Sequence, residues 1–278
     1  MVHRPAEGTL KFAVILLLAV MIPAQIVGFL AGTDAAMAVG IAAGFTMAVT
    51  PFATTKQALG SAVLAAALAA AASLADDTAW AVAALMLVSA VLLGLTNQHS
   101  AGLMTLAPAI VIIFGPSALD MSPAASFGYV LLGGILGWIV IRAFKFQAEA
   151  NPVPQGVAWR HAIVLGVLSA VAVYWALANN VSHGYWVAVT LVVALRPLPE
   201  QRAHTLRDRL LGTLVGALLS FVVIVWAPVW LALIVAAICL VLLATYSMGG
   251  SYFMQTLFLT PMLLIFATIG DEQQGITY

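Results

Sequence analysis

Residues 209–225 read Arg-Leu-Leu-Gly-Thr-Leu-Val-Gly-Ala-Leu-Leu-Ser-Phe-Val-Val-Ile-Val, a single arginine followed by a run with no further charge. Such a run, continuously apolar rather than alternating, is a membrane helix and not a barrel strand. Its beginning has an echo earlier in the chain, where Leu59-Gly60-Ser61 stands in the place of Leu211-Gly212-Thr213. The echo extends in both directions with its order kept. Thr50-Pro51 pairs with Arg196-Pro197, Trp80 with Trp230, Val91-Leu92-Leu93 with Val241-Leu242-Leu243, and Leu106-Ala107-Pro108 with Leu259-Thr260-Pro261. A tandem repeat of apolar helices is a common way to build a transporter, with the substrate path where the two units meet.

Composition requires the same class. Hydrophobic residues are 64% of the chain and charged residues 7%, with a mean hydropathy of +1.11. A soluble domain carries roughly 25% charged residues, so the solvent here is lipid. The net charge of zero speaks against a nucleic-acid partner. No P-loop pattern is present, so hydrolysis of ATP by this chain is not expected, and no cofactor is. The single cysteine, Cys239, lies in an apolar run and can form no internal disulfide.

The apolar runs are Leu10–Ala31, Ala35–Thr50, Ala58–Leu74, Thr78–Leu95, Ser100–Phe114 and Phe127–Phe144, then Ala162–Ala178, Gly184–Leu195, Leu210–Val225, Val229–Thr245 and Tyr252–Ile269. The first is too long for the apolar core of a signal peptide, and ten more follow. The expected fold is an all-α integral membrane protein of about eleven helices in two parallel tandem repeats. Residues 1–150 form the first repeat with six helices, and residues 151–278 the second with five. The segment Gln147–Trp159, with Pro152 and Pro154, is expected to be an extended linker. The sixth run has no counterpart after Thr277-Tyr278, so the second repeat is expected to lack its last helix, as in a fragment or an early gene end.

A cytoplasmic N-terminus puts all ten lysines and arginines on one side: Arg4, Lys11, Lys56, Arg142, Lys145, Arg160, Arg196, Arg202, Arg207 and Arg209. The outer loops then hold only acids, Asp34, Asp76, Asp77 and Asp120, with Asp271 and Glu272 beyond the last run. That asymmetry fixes the expected orientation.

One stretch resembles a known family. His183-Gly184-Tyr185-Trp186, then Thr190, Pro197, Thr205 and Arg207-Asp208-Arg209-Leu210-Leu211-Gly212-Thr213-Leu214-Val215-Gly216 are similar to the pattern of the fusaric acid resistance, or aromatic acid exporter, family. The likeness spans residues 184–221; in the first repeat Gln57 stands where Arg209 would and Gly60-Ser61 where Gly212-Thr213 would. The resemblance implies a bacterial inner-membrane protein that exports aromatic carboxylates or related small anions. It also implies a periplasmic adaptor as partner, beside the lipid bilayer and further copies of the chain. Plant aluminium-activated malate channels look distantly similar, which keeps a passive anion channel as an alternative.

Arg209 is the foremost candidate, as an anion contact or equally as a structural clamp, because it lies one turn before Gly212 and matches the family motif, and an arginine toward the bilayer centre costs roughly 2.5–3.5 kcal/mol unless it faces protein or water. A helix beginning near Arg209 would add its N-terminal amides at the same place. Arg196 and Pro197 end a run too short to span the membrane alone, and Pro108 and Pro261 occupy matching runs of the two repeats. Against these stands the ordinary reading, that prolines kink membrane helices and basic residues anchor them. Tyr185 and Trp186 suit either an interfacial belt or a platform for an aromatic substrate. Gly212, Thr213 and Gly216, with Gly60 and Ser61 in the first repeat, read as close-packing faces. Gln25, Tyr252 and Gln255 read as ordinary interhelical hydrogen-bonding groups. No nucleophile–base pair or cluster of metal-ligand spacing is visible, so an enzyme is the weakest reading, and a non-transporting scaffold for a periplasmic subunit is a further alternative.

Overall fold

A computed structural model describes residues 9–75, 78–98, 104, 107–115, 119, 121–146, 152–181, 187–188, 191–192, 195, 199–247 and 251–273, without the side chains of 199–203, 263 and 266–273. The described regular elements are all helical. They are α1 (Thr9–Ala31), α2 (Thr33–Val49), α3 (Thr55–Ala75), α4 (Ala79–Asn97), α5 (Ala107–Phe114), α6 (Pro123–Ala143), α7 (Gln155–Ala178), α8 (Pro199–Trp226), α9 (Val229–Ser247) and α10 (Tyr252–Gln273). A single 3-10 turn, Thr50–Phe52, follows α2. Eight of these segments are long and apolar enough to cross a membrane: α1, α2 with its 3-10 turn, α3, α4, α6, α7, α8 from His204, and α9. The chain is a multi-pass membrane protein.

Several boundaries differ from the hydropathy reading. The run at Ser100–Phe114 contributes a described helix of only 8 residues, which rises about 12 Å and is not among the eight spans. Pro108 is the second residue of the described helix, and the residues just before it, 105 and 106, lie outside the described ones. The extended linker ends early, because α7 begins at Gln155 with Pro154 as its N-cap in an extended conformation. The run at Leu210 is preceded by helix as far back as Pro199; residues 199–209 are polar, so hydropathy marks only the lipid-crossing part. The run Gly184–Leu195 falls largely outside the described residues.

Packing divides the chain into two compact units, residues 19–198 and residues 1–18 with 199–278. This division follows contact, not repeat, since α7 packs on α4 within the larger unit.

In the larger unit α6 lies against α2 and α3. Two of its glycines face backbone and a third a side chain: a methyl group on Gly133 would meet the Val39 carbonyl, one on Gly137 the Ala43 carbonyl, and one on Gly134 would stand 2.7 Å from the Ala62 Cβ. Only glycine admits so close an approach. The rising order of these contacts makes α6 parallel to α2. A hydrogen bond of 2.7 Å between the Ser73 and Ser126 hydroxyls at one end, and one of 2.9 Å from Arg142 Nη2 to the Ala53 carbonyl at the other, make it antiparallel to α3. α5 packs between α3 and α4, with Gly115 near Ala72 and Val82. It therefore runs parallel to α3 and antiparallel to α4.

In the smaller unit α10 packs on α8 and on α9. α8 and α10 are parallel, since Gly212 meets Phe253 and Thr256, while Gly216 meets Leu257, Thr260 and Pro261. α8 and α9 leave long apolar faces exposed, among them Leu214, Leu218, Phe221 and Trp230, as a lipid-facing helix does.

Candidate functional site

The site is built on the joint between α8 and α10. Gly212, Gly216 and the fully buried Ser220 recur every fourth residue, which puts them on one face of the helix. A methyl group on Gly216 would stand 2.9 Å from the Leu257 carbonyl and 3.1 Å from Pro261 Cδ. Pro261 lies inside α10 and has no N–H to give to that Leu257 carbonyl four residues back. The bare Cα of Gly216 thus packs against a carbonyl that the proline has released. One turn earlier Gly212 faces Thr256, whose hydroxyl is hydrogen-bonded at 3.0 Å to the Tyr252 carbonyl and at 3.3 Å to the Asp208 carbonyl of α8. Thr213 turns away from α10 and is exposed.

Arg209 stands one turn below Gly212, half-buried, and its Nη1 donates a long hydrogen bond of 3.4 Å to the Tyr252 hydroxyl of α10. It makes no ion pair among the described residues. The acid beside it is engaged elsewhere: Asp208 lies 3.6 Å from His204 and 3.5 Å from Arg207, both on exposed side chains. A guanidinium carries five N–H donors in a planar fork, so most of that of Arg209 is left for another acceptor. The amides expected to reinforce it are absent, because α8 begins at Pro199 and its N-terminus is ~15 Å away.

At the positions of residues 1–150 that the sequence pairs with these, the arrangement differs. Gly60 is exposed with open space around it, and the close approach on α3 is made by Ala62. Ser61 is buried with its hydroxyl on the Ala58 carbonyl at 2.8 Å. Gln57 closes a reciprocal cap with Thr54, its Oε1 accepting from the Thr54 amide at 2.9 Å, so it offers no cation. Arg196, Pro197, Tyr185 and Trp186 lie outside the described residues.

Tyr252 and Gln255 both make the interhelical bonds expected of them, Tyr252 accepting from Arg209 of α8 and Gln255 donating at 3.0 Å from its Nε2 to the Tyr246 carbonyl of α9, while Gln25 is exposed. Arg142 reaches Ala53 across 89 positions of sequence, a pairing that only the helix arrangement reveals. At the opposite end of the larger unit a cavity of about 340 Å³ is lined by Gly32, Asp34, Ser122 and Tyr129 among others. Its only charged side chain is an acid, so it is no place for an anion.

Residues 168–278 match the fusaric acid resistance protein-like family. The motif at 184–221 falls inside the matched stretch, as do Arg209, the glycine face of α8 and all of α10. No curated protein and no solved structure matches the chain. With eight membrane-crossing segments, the match supports a membrane transporter-like role.

Proposed function

We propose that this chain is a secondary exporter of small organic anions, aromatic carboxylates foremost, in a bacterial inner membrane with its N-terminus in the cytoplasm. The observation that carries the reading is Arg209, a half-buried guanidinium within the span His204–Trp226 that pairs with no acid among the described residues. Its fork matches a carboxylate bidentately. The larger unit supports the orientation, since the Arg142–Ala53 bond gathers the Lys56 and Arg142 ends of α3 and α6, with Asp34 at the opposite end of α2.

The repeat has support too. α5 lies against α3 and α4, and α10 lies against α8 and α9, each time parallel to the first of the two. That is the pattern two parallel repeats would share, with the third, fourth and fifth runs corresponding to the ninth, tenth and eleventh. Lipid covers the exposed faces of α8 and α9 in this reading, and a periplasmic adaptor and further copies of the chain belong to the same proposal.

The test is reconstitution. Purified protein in vesicles should move labelled benzoate-type carboxylates faster than protein-free vesicles, with aliphatic carboxylates as comparators. A secondary exporter's flux responds to an imposed pH gradient; that of a passive channel follows concentration and voltage alone. No flux of any carboxylate would overturn the reading and favour a scaffold.

A further inference from the structure

The joint between α2 and α6 ends at Arg142, whose Nη2 donates to the Ala53 carbonyl at 2.9 Å. That acceptor is neutral, and the Nε–H of the same guanidinium is buried with no partner. Two groups nearby are in the same state. Trp138 lies one turn earlier on the same face of α6, and its indole Nε1 is buried without a partner. So is the hydroxyl of Thr46 on α2, a residue 1% exposed. A methyl group on Gly134, one turn earlier again, would stand 3.3 Å from that hydroxyl oxygen. Thr46 therefore faces the stripe formed by Gly134, Trp138 and Arg142. Among the described residues four buried side-chain groups lack a hydrogen-bond partner, and all but Ser169 meet along about 12 Å of this one joint.

A buried donor without an acceptor is costly, and more so when it is charged, so a cluster of them calls for an acceptor. Indole and guanidinium can only donate, and a hydroxyl can donate as well. The set therefore suits an anion and repels a cation. Charge points the same way. α2, α3 and α6 hold a single acid, Asp34, at the far end of α2, while Lys56 and Lys145 stand exposed at the Arg142 end. No acid of these three helices balances Arg142. Gln57, at the position the sequence pairs with Arg209, is neutral and closed on Thr54; the guanidinium at this end of the larger unit comes from α6. The close approach at Gly133 and Gly137 leaves room for a small anion and not for a ring.

We infer that the α2–α6 joint binds a small anion, a chloride ion or a carboxylate head, held by the Arg142 Nε–H and the Trp138 Nε1–H with the Thr46 hydroxyl closing the inner end. The site uses none of the residues around Arg209, and the inference stands whether or not the chain exports carboxylates.

The experiment measures equilibrium binding of labelled chloride and of labelled acetate to the detergent-purified full chain, in an Arg209→Gln background so that Arg209 contributes nothing. Saturable binding of at least one of them is expected, and whichever saturates names the ligand. Arg142→Gln and Trp138→Phe should each weaken it about tenfold or more, and Thr46→Val about threefold. No saturable binding of either anion, or binding that Trp138→Phe and Thr46→Val leave unchanged, would overturn the inference. Thr46→Val keeps the side-chain shape and supplies a second readout with Arg209 intact. In phosphate buffer free of both anions it should melt at or above wild type, and the added anion should raise the wild-type melting temperature more than that of the variant. Equal shifts in the two proteins would overturn the inference. Where Arg142→Gln does not accumulate, the Trp138→Phe and Thr46→Val comparisons decide.

Discussion

Both compact units bring helices together through glycine, but what faces the glycines differs. On α6, Gly133 and Gly137 press on the carbonyls of Val39 and Ala43, and Gly134 on the side chain of Ala62. Those neighbours are regular helix, already hydrogen-bonded and unable to give way. On α8, Gly212 meets a threonine hydroxyl and Gly216 a carbonyl that Pro261 has freed, with an arginine and a tyrosine one turn below. The glycine contacts of the first joint are mostly to backbone and alanine, with its serine pair and its arginine at the two ends. The second keeps polar groups and a proline break beside a charge, which is the arrangement expected where a helix pair handles a polar solute.

The sharpest way to break this contrast is to fill the two joints. Gly133→Leu should cost about 3 kcal/mol or more, read as loss of folded, detergent-stable protein, with no recovery from trimming a neighbouring side chain. Gly60→Ala is the control and should leave the melting temperature unchanged or slightly raised, since Gly60 faces open space inside α3. Gly212→Ala should cost about 1–3 kcal/mol, and Thr256→Ala should restore part of it because one obstacle is a side chain. Full independence of the two substitutions would show that α8 and α10 do not meet there. Smaller again is Arg142→Gln, which removes a charged donor from the Ala53 carbonyl. About 1 kcal/mol is expected, near the low end for such bonds because Arg142 is only half-buried. An unchanged melting temperature would make that bond dispensable.

Topology can be checked without touching stability. A cysteine at Thr33 should react with an impermeant reagent in intact cells, and one at Lys56 should not. Labelling at Lys56 from outside would overturn the proposed orientation.

The helices were legible because lipid demands long uncharged runs, and α3, α4, α6 and α9 begin and end close to where hydropathy places them. α8 was only half legible: its polar first turns, Pro199 to Arg209, are good helix without being apolar. The family motif led to Arg209 and the Gly212–Gly216 face. Nothing local could have led to Tyr252 as its partner, since that contact spans 43 positions. Alanine hid the α3 joint in the same way. In a helix where alanine stands at most positions, no spacing distinguishes Ala62, which meets Gly134, from the alanines that face outward.

The central claim is that Arg209 is an anion contact and not an anchor. The direct measurement is carboxylate export by Arg209→Gln beside Arg207→Gln at matched protein levels, Arg207 being an exposed arginine two positions away. The account predicts at least a tenfold loss for Arg209→Gln, partial retention in Arg209→Lys, and near-normal export for Arg207→Gln. Equal export by the two glutamine variants would contradict it.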